Sequence, residues 1–183
     1  MSNSDGGSFL GKVIWITGLS GAGKSSLAVE TVRLLRNDQK NVVFLDGDEL
    51  REILSADKYK NVNHNRDKRL ELALSYAKLC RTLSLQGFTV VISTISMFRE
   101  VYSWNRENLP NYFEVYLKVP QKELIERDPK NIYSRYYAGR LKNIAGLDLD
   151  VDEPENPNWS PIFNPNLTAA NLAAQLFNIL GKS

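Results

Sequence analysis

The segment Gly18–Ser25, GLSGAGKS, fits the spacing G-x-x-x-x-G-K-[ST]. Its residue types suit one task, the holding of a chain of phosphates. Glycines reach positive φ and, lacking Cβ, let successive backbone N–H groups close around phosphate oxygens. A helix opening at the same point adds the positive end of its dipole. Gly18, Leu19, Ser20, Gly21, Ala22, Gly23, Lys24, Ser25 and the following Ser26 are therefore candidate nucleotide-binding residues. Lys24 would reach the β- and γ-phosphates of ATP, and Ser25 would ligate Mg2+. An ordinary glycine-rich turn is the alternative. Against it stands the context, an apolar run before the segment and a helical pattern after it.

A second set of chemically capable residues follows at Asp46, Asp48 and Arg51. Mg2+ takes oxygen ligands, and a hydroxyl that attacks a phosphate needs a base. Either aspartate could serve either purpose, so Ser25, Asp46 and Asp48 are the candidate metal ligands and Lys24 and Asp48 the candidate catalytic residues. Arg51 lies one helical turn beyond Asp48 and could hold an anionic substrate. The plainer reading is a turn followed by a capped helix, since Asp-Gly favours turns and Asp caps helices.

These residues need elements to position them. Lys12–Thr17, Asn41–Leu45, Phe88–Ser93 and Tyr112–Val119 read as strands, the last ended by Pro120. Lys24–Asn37, Asn65–Leu85, Arg99–Asn108, Gln121–Arg127 and Leu167–Leu180 read as helices, with Gly181 a stop signal for the last. Strands alternating with helices imply right-handed crossovers and an α/β fold, a mainly parallel sheet covered on both faces. Asp46 and Asp48 then fall at the C-terminal end of a strand, where ligands of such sheets bind. Trp159–Phe163 could add an edge strand, although Pro161 opposes it. His64 reads as a solvated residue at a helix start, and Cys80 as core.

The 183 residues carry 43% hydrophobic and 24% charged side chains, ordinary for one globular domain. Residues 1–8 read as a disordered lead and 9–183 as the domain. A net charge of +2 argues against a nucleic-acid or membrane-surface partner. One cysteine and one histidine exclude a disulfide scaffold, make a His/Cys zinc site improbable and suit a reducing cytoplasm. No run approaches the ~20 apolar residues of a membrane helix. Asp148–Asn166 holds five acidic residues and four of the seven prolines and reads as an extended surface segment.

Among nucleotide-binding classes, a switch GTPase would show an Asn-Lys-x-Asp sequence, and none occurs. An aspartate pair on the strand directly after the phosphate loop suits a small kinase better than a motor ATPase. At this level the chain resembles the adenylylsulfate (APS) kinase family, as a member with a divergent acceptor pocket. Gly18–Ser25 resembles that family's phosphate loop, and Leu45–Arg51 (LDGDELR) its LDGDxLR segment. Tyr112–Pro120 with Arg127–Lys130 (RDPK) resembles FxEVY…P…ERDPKGLY. Tyr133–Gly139 resembles the YKKARAG lid, Lys142–Asp148 KxFTGID, and Glu153–Glu155 ExPE.

The resemblance implies a P-loop three-layer sandwich and transfer of the ATP γ-phosphate to the ribose 3′-hydroxyl of adenylyl sulfate, with Mg2+. It implies a homodimer. It makes Asp48 the base or the metal-linked acceptor contact, Arg51 a ligand of the acceptor's anionic group, and Ile95 and Ser96 neighbours of the acceptor. Arg127 would bind the donor, within a lid of about residues 127–147. Lys130, Arg135, Lys142, Asn143 and Ile144 would complete the acceptor side. The family's NIRR segment has no clean copy, which leaves Arg66 and Arg69 as substitutes. The aromatic of LGFS has no clear counterpart, the phenylalanine of KxFTGID is Ile144, and the proline of ISP is Met97. Loss of two rings that sandwich adenine would remove about 1–3 kcal/mol of stacking per ring. Three readings follow: an adenylyl sulfate kinase by family default, the same chemistry on cytidine diphosphoramidate in capsule biosynthesis, or a nucleotide-binding module without catalysis. Tyr133, Tyr136, Tyr137 and Trp104 are read either as packing or as a replacement stacking platform.

Overall fold

The computed structural model describes residues 10–38, 41–55 and 66–181. The expectations for residues 1–8 and for His64 lie outside them. Four strands are described: β1 (Val13–Thr17), β2 (Val42–Asp46), β3 (Thr89–Ser93) and β4 (Tyr112–Tyr116). They form one sheet in the order β2-β3-β1-β4, and every pairing is parallel. The interior strand β1 is apolar from Val13 to Ile16 because both of its faces are covered. Val13 and Trp15 enter one core with Val90 and Ile92, while Ile14 and Ile16 enter the other with Val91 and Val115. This is the period of two expected of a pleated strand.

One face carries α1 (Lys24–Asp38) and α7 (Ala169–Leu180), which bury Leu27, Ala28, Val32, Ala173 and Leu176 against it. The other carries α3 (Arg66–Ser84) and α4 (Arg99–Asn108), with Ala73, Ala77, Cys80 and Val101 inward. The layers are thus helix, sheet and helix, as the sequence predicts. Cys80 is fully buried, and burial pushes its thiol well above the ordinary value. Trp104 is half-buried against the α3–α4 core, the packing alternative. A capping box starts α7: Thr168 accepts from the Asn171 N–H, and the Asn171 side chain accepts from the Thr168 N–H.

Three local differences from the sequence reading matter for the site. The aspartate segment is not an open turn: Asp46 ends β2, and α2 (Gly47–Ser55) begins at the next residue. Asp46 Oδ1 accepts the Asp48 N–H at 2.9 Å, which supplies the cap. After α5 (Gln121–Arg127), the chain forms a further short helix, α6 (Ile132–Tyr137). Finally, Trp159–Phe163 does not form an edge strand. Only Trp159 bridges β4, exchanging hydrogen bonds with Glu114 and Tyr116, and the chain departs before Pro161.

Candidate active site

The strand order places the C-terminal ends of β1, β2 and β3 side by side, and the chemistry gathers there. A cleft of about 440 Å³ opens above them. Gly18, Gly21 and Gly23 all have positive φ, at 148°, 81° and 92°. A Cβ on Gly18 would come within 2.7 Å of the Leu117 carbonyl oxygen, so a side chain is excluded there as well as strained. Ala22 is buried beneath the loop and its N–H donates to Leu19 O at 3.2 Å. Lys24 Nζ donates to the same carbonyl at 2.8 Å. Burial lowers the Lys24 ammonium to about 8, with Lys130 and Arg51 adding to the effect and Asp48 and Asp46 opposing it. The loop thus holds a desolvated cation in wait for negative charge.

Ser20, Gly21, Gly23, Lys24, Ser25 and Ser26 line this cleft, and so do Asp46, Asp48, Arg51, Ile95, Arg127 and Lys130. Asp46 Oδ2 accepts from Ser25 Oγ at 2.7 Å and from Ser93 Oγ at 2.9 Å. Burial alone would push its carboxyl up, but these two hydroxyls and the N–H groups of Asp48 and Glu49 outweigh it and hold the carboxyl below the ordinary range. A serine hydroxyl against an ionised carboxylate is an oxygen-only donor pair. It fits Mg2+, which keeps waters and needs only one or two protein carboxylates when phosphates supply the rest. Among the described residues no cluster of three or more His, Cys, Asp or Glu side chains competes for a metal.

Asp48 projects from the first turn of α2, where Arg51 Nη1 stands 3.5 Å from Oδ1 and Lys130 Nζ pairs with Oδ2. The segment after α5 is docked onto the body by further contacts. Tyr133, buried on α6, donates its hydroxyl to Ser20 O at 3.0 Å. Asp128 accepts from the N–H groups of Tyr133 and Ser134 and from the Ser134 hydroxyl, which fixes the start of α6. Tyr133 is therefore packing and not platform. Tyr136 and Tyr137 meet each other edge to face at 5.4 Å. Arg127 lies over the Phe163 ring, 5.3 Å from its centroid, and approaches Gly21 O.

A smaller cavity adjoins the cleft through Arg51, Thr94 and Ile95 and continues past Arg69, Tyr76, Ser96 and Met97 to Ala145 and Val151. Ser96, at φ 30°, shares a 2.7 Å hydrogen bond with Thr94. Arg69 donates to Asn143 O, and its guanidinium pKa is lowered by burial and then by neighbouring Arg51. Asn143 and Ile144 both donate their N–H groups to Asp148, which shapes the loop between the lid and the acidic segment. Gly146 in that loop has φ 80°, and a Cβ there would come within 2.8 Å of the Leu19 side chain.

Five predicted acceptor residues stand apart from both cavities. Arg66 is engaged elsewhere: it forms a bidentate pair with Glu100 at 3.0 Å, reaches Asp152 at 3.1 Å and lies over Phe98. Two carboxylates and a ring satisfy its guanidinium, so it acts on the acidic segment and not on the cavity. Arg135 and Lys142 are exposed outside the cavity walls, and Ala145, not Asn143 or Ile144, contributes to the wall. Sequence reasoning missed Ser93, Thr94 and Tyr76. Ser93 was findable, because it ends a strand beside Asp46. Tyr76 sits at an inward helical position with Ala73 and Ala77, but nothing local shows that its hydroxyl donates to Gly47 O at 3.2 Å. Burial pushes that phenol up to about 12. A wider hollow of about 590 Å³ lies at the opposite end of the sheet, walled by Ile14, Leu35, Phe177 and Leu180, with neither the phosphate loop nor the aspartate pair.

A parallel sheet with a phosphate loop after the interior strand β1, and an aspartate pair where the edge strand β2 passes into α2, defines a P-loop kinase, a phosphotransferase. Residues 10–160 match the adenylylsulphate kinase family, and the chain belongs to that family. It is 41% identical over 143 residues to the cytidine diphosphoramidate kinase of Campylobacter jejuni, covering 78% of this chain and 81% of that one. It is 34% identical over 148 residues to the adenylyl-sulfate kinase of Pseudomonas aeruginosa, covering 80% and 74%. The Mycobacterium tuberculosis APS kinase, solved in complex with AMPPNP and APS, superposes with a TM-score of 0.82 at 30% identity, over 94% of this chain and 98% of that one.

Proposed function

We propose that this chain transfers the γ-phosphate of ATP to the ribose 3′-hydroxyl of a small nucleotide whose 5′-phosphate carries a further group. Adenylyl sulfate is the family default, and cytidine diphosphoramidate is the acceptor that the altered pocket favours. The observation that carries the reading is the meeting, in one cleft, of a cationic phosphate loop and an aspartate held at its rim by a lid lysine. The loop N–H groups and Lys24 would take the β- and γ-phosphates. Ser25 and Asp46 would hold Mg2+, which when bound neutralises charge on the phosphate oxygens.

Asp48 would accept the proton of the attacking hydroxyl as the new O–P bond forms and the β,γ-bridging O–P bond breaks. In this conformation Lys130 masks that carboxylate. Arrival of phosphate gives Lys130 a competing anion and releases Asp48 for proton transfer. The closed lid keeps out water, the alternative acceptor. Arg51 and Arg69 would face the acceptor's anionic end.

Two features support the cytidine reading. Where the family carries a phenylalanine this chain has Ile144, beside an alanine in the wall. The Campylobacter jejuni relative, at 41% identity, acts on a cytidine compound by its name. The test is kcat/KM for cytidine diphosphoramidate against adenylyl sulfate with Mg-ATP. A preference of about 10-fold or more for the cytidine compound is expected. Strong preference for adenylyl sulfate would overturn the acceptor assignment, and transfer to no nucleotide in a broad panel would overturn the kinase reading. The proposed setting is the cytoplasm, in keeping with a buried free thiol at Cys80. A homodimer, the state the family resemblance implies, is tested by light scattering of the purified chain.

A further inference from the structure

Asp48 and Arg51 stand on a helix that buries little of itself. Of residues 47–54 in α2, Gly47 and Leu50 are buried and the other six are exposed. Leu50 enters the core on the α3 side. Gly47 lies close against the end of β3, where a Cβ would come within 2.9 Å of the Thr94 side chain and 3.0 Å of the Ser93 carbonyl oxygen. Such packing limits how near the helix start can come, but hydrogen bonds give it a direction. One bond is local, from the Asp48 N–H to Asp46 Oδ1 at 2.9 Å. Another comes from α3: the Tyr76 hydroxyl donates to Gly47 O at 3.2 Å.

Tyr76 is 2% exposed. A buried hydroxyl costs free energy unless it is hydrogen-bonded, and a phenylalanine would fill the same space without one. The hydroxyl therefore singles out its bond to Gly47, the residue between the two aspartates. Arg51 stands beside the same phenol. As a charge and as a hydrogen-bond donor it opposes the upward push of burial, which nevertheless leaves the phenol at about 12. Tyr76 thus keeps its proton near neutral pH and is a fixed donor, with no part in moving the acceptor's proton. One side chain touches the backbone just before Asp48 and the guanidinium one turn after it.

We propose that Tyr76 is a positioning residue, which through Gly47 O and Arg51 sets where Asp48 and Arg51 stand against the acceptor. The assignment rests on the roles proposed above for those two residues and adds the group that holds them.

The test is Tyr76→Phe, with Mg-ATP and whichever of adenylyl sulfate and cytidine diphosphoramidate the wild type prefers. Acceptor kcat/KM should fall about 3- to 10-fold, the worth of one neutral hydrogen bond, with the KM for ATP unchanged. The pH profile should keep its shape. Amide exchange in α2 should quicken while that in α3 does not. Cys80→Ala, one turn along the same buried face of α3, should lower Tm and leave the acceptor constants alone. Unchanged exchange in α2 would overturn the proposal, as would an unchanged acceptor kcat/KM. An equal loss in Cys80→Ala, or an equal rise in the KM for ATP, would reduce Tyr76 to general packing and overturn it too. Faster α2 exchange in Tyr76→Phe, in a chain whose wild type transfers no phosphate, would instead overturn the kinase reading and leave Tyr76 as the anchor of α2.

Discussion

The donor side and the acceptor side of the cleft are built by different means. The donor side is almost all backbone: eight consecutive residues, three glycines at positive φ, and one helix N-terminus. Its few side chains, Lys24, Ser25 and Asp46, lock onto that backbone or onto each other. The acceptor side is assembled from side chains on α2, α3, the β3–α4 connection and residues 145–151. Ion pairs tie down the acidic residues that follow: Arg66 pairs with Glu100 and Asp152, Lys118 with Glu153, and Arg99 with Glu155. A backbone cradle tolerates almost no change in residue type, whereas a side-chain pocket can change its substrate one residue at a time. The first half of this cleft is accordingly conventional for its family and the second divergent.

Breaking the junction of the two halves should have the largest effect. Asp48→Asn removes the proposed base and should lower kcat/KM by about 10²–10⁴-fold while ATP binding persists, as read by steady-state kinetics and a nucleotide titration. Unchanged transfer would show that the hydroxyl proton goes elsewhere. Beside the acceptor side, Ile144→Phe offers a ring one residue from the cavity wall, which reaches a bound base only if the loop held by Asp148 turns. Stacking worth about 1–3 kcal/mol should improve the standing of adenylyl sulfate against cytidine diphosphoramidate by about 5- to 100-fold, with the KM for ATP unmoved.

Arg66→Met tests whether the acidic segment is a support for the acceptor pocket alone. Exposed pairs are each worth about 0.2–1 kcal/mol, so the acceptor KM should rise about 2- to 5-fold and the ATP KM should not. An equal rise in both would erase the distinction between the halves.

The smallest effect lies in the sheet beneath both. Glu114 is fully buried on β4, and burial pushes its carboxyl up while Arg106, at 2.8 Å, and Tyr112 pull it back. The folded chain therefore holds this proton more tightly than the unfolded chain does. The resulting stability is present at low pH and is lost as pH rises from the ordinary carboxylate value through the folded one. Glu114→Gln should consequently gain on the wild type as pH rises above the ordinary carboxylate range, by about 2–4 °C in Tm for each kcal/mol removed. A difference that does not change with pH would refute this.

What could be read in the sequence follows the same division. The phosphate loop was legible because a backbone requirement leaves its mark as glycine at fixed spacing. The buried strands were legible because β1 and β3 are covered on both faces and so are apolar without alternation. Arg66 shows why the acceptor side was not. Its charge and place at the start of α3 are plain, but its partners lie 34 and 86 residues away, and a sequence does not say which cation a carboxylate will choose. The α6 helix was hidden for another reason: it is six residues long, and it is fixed by Asp128 and by the docking of Tyr133 more than by helix propensity. Trp159–Phe163 shows the limit of composition, where aromatic residues favour a strand and Pro161 ends it after one bridge.

Leu19 belongs to the phosphate loop, yet it rests on Gly146 of the loop beside the acceptor cavity, and its carbonyl is what Lys24 holds before phosphate arrives. When Lys24 turns to a phosphate, Leu19 loses that donor, and any shift it makes presses on Gly146 or relieves it. On the proposed reading the two nucleotide sites would thereby be joined through a single residue. Through it, whatever factor the donor imposes on the acceptor's affinity, the acceptor returns to the donor in full. A methyl group added at position 146, remote from ATP in sequence, would be felt first in the binding of ATP.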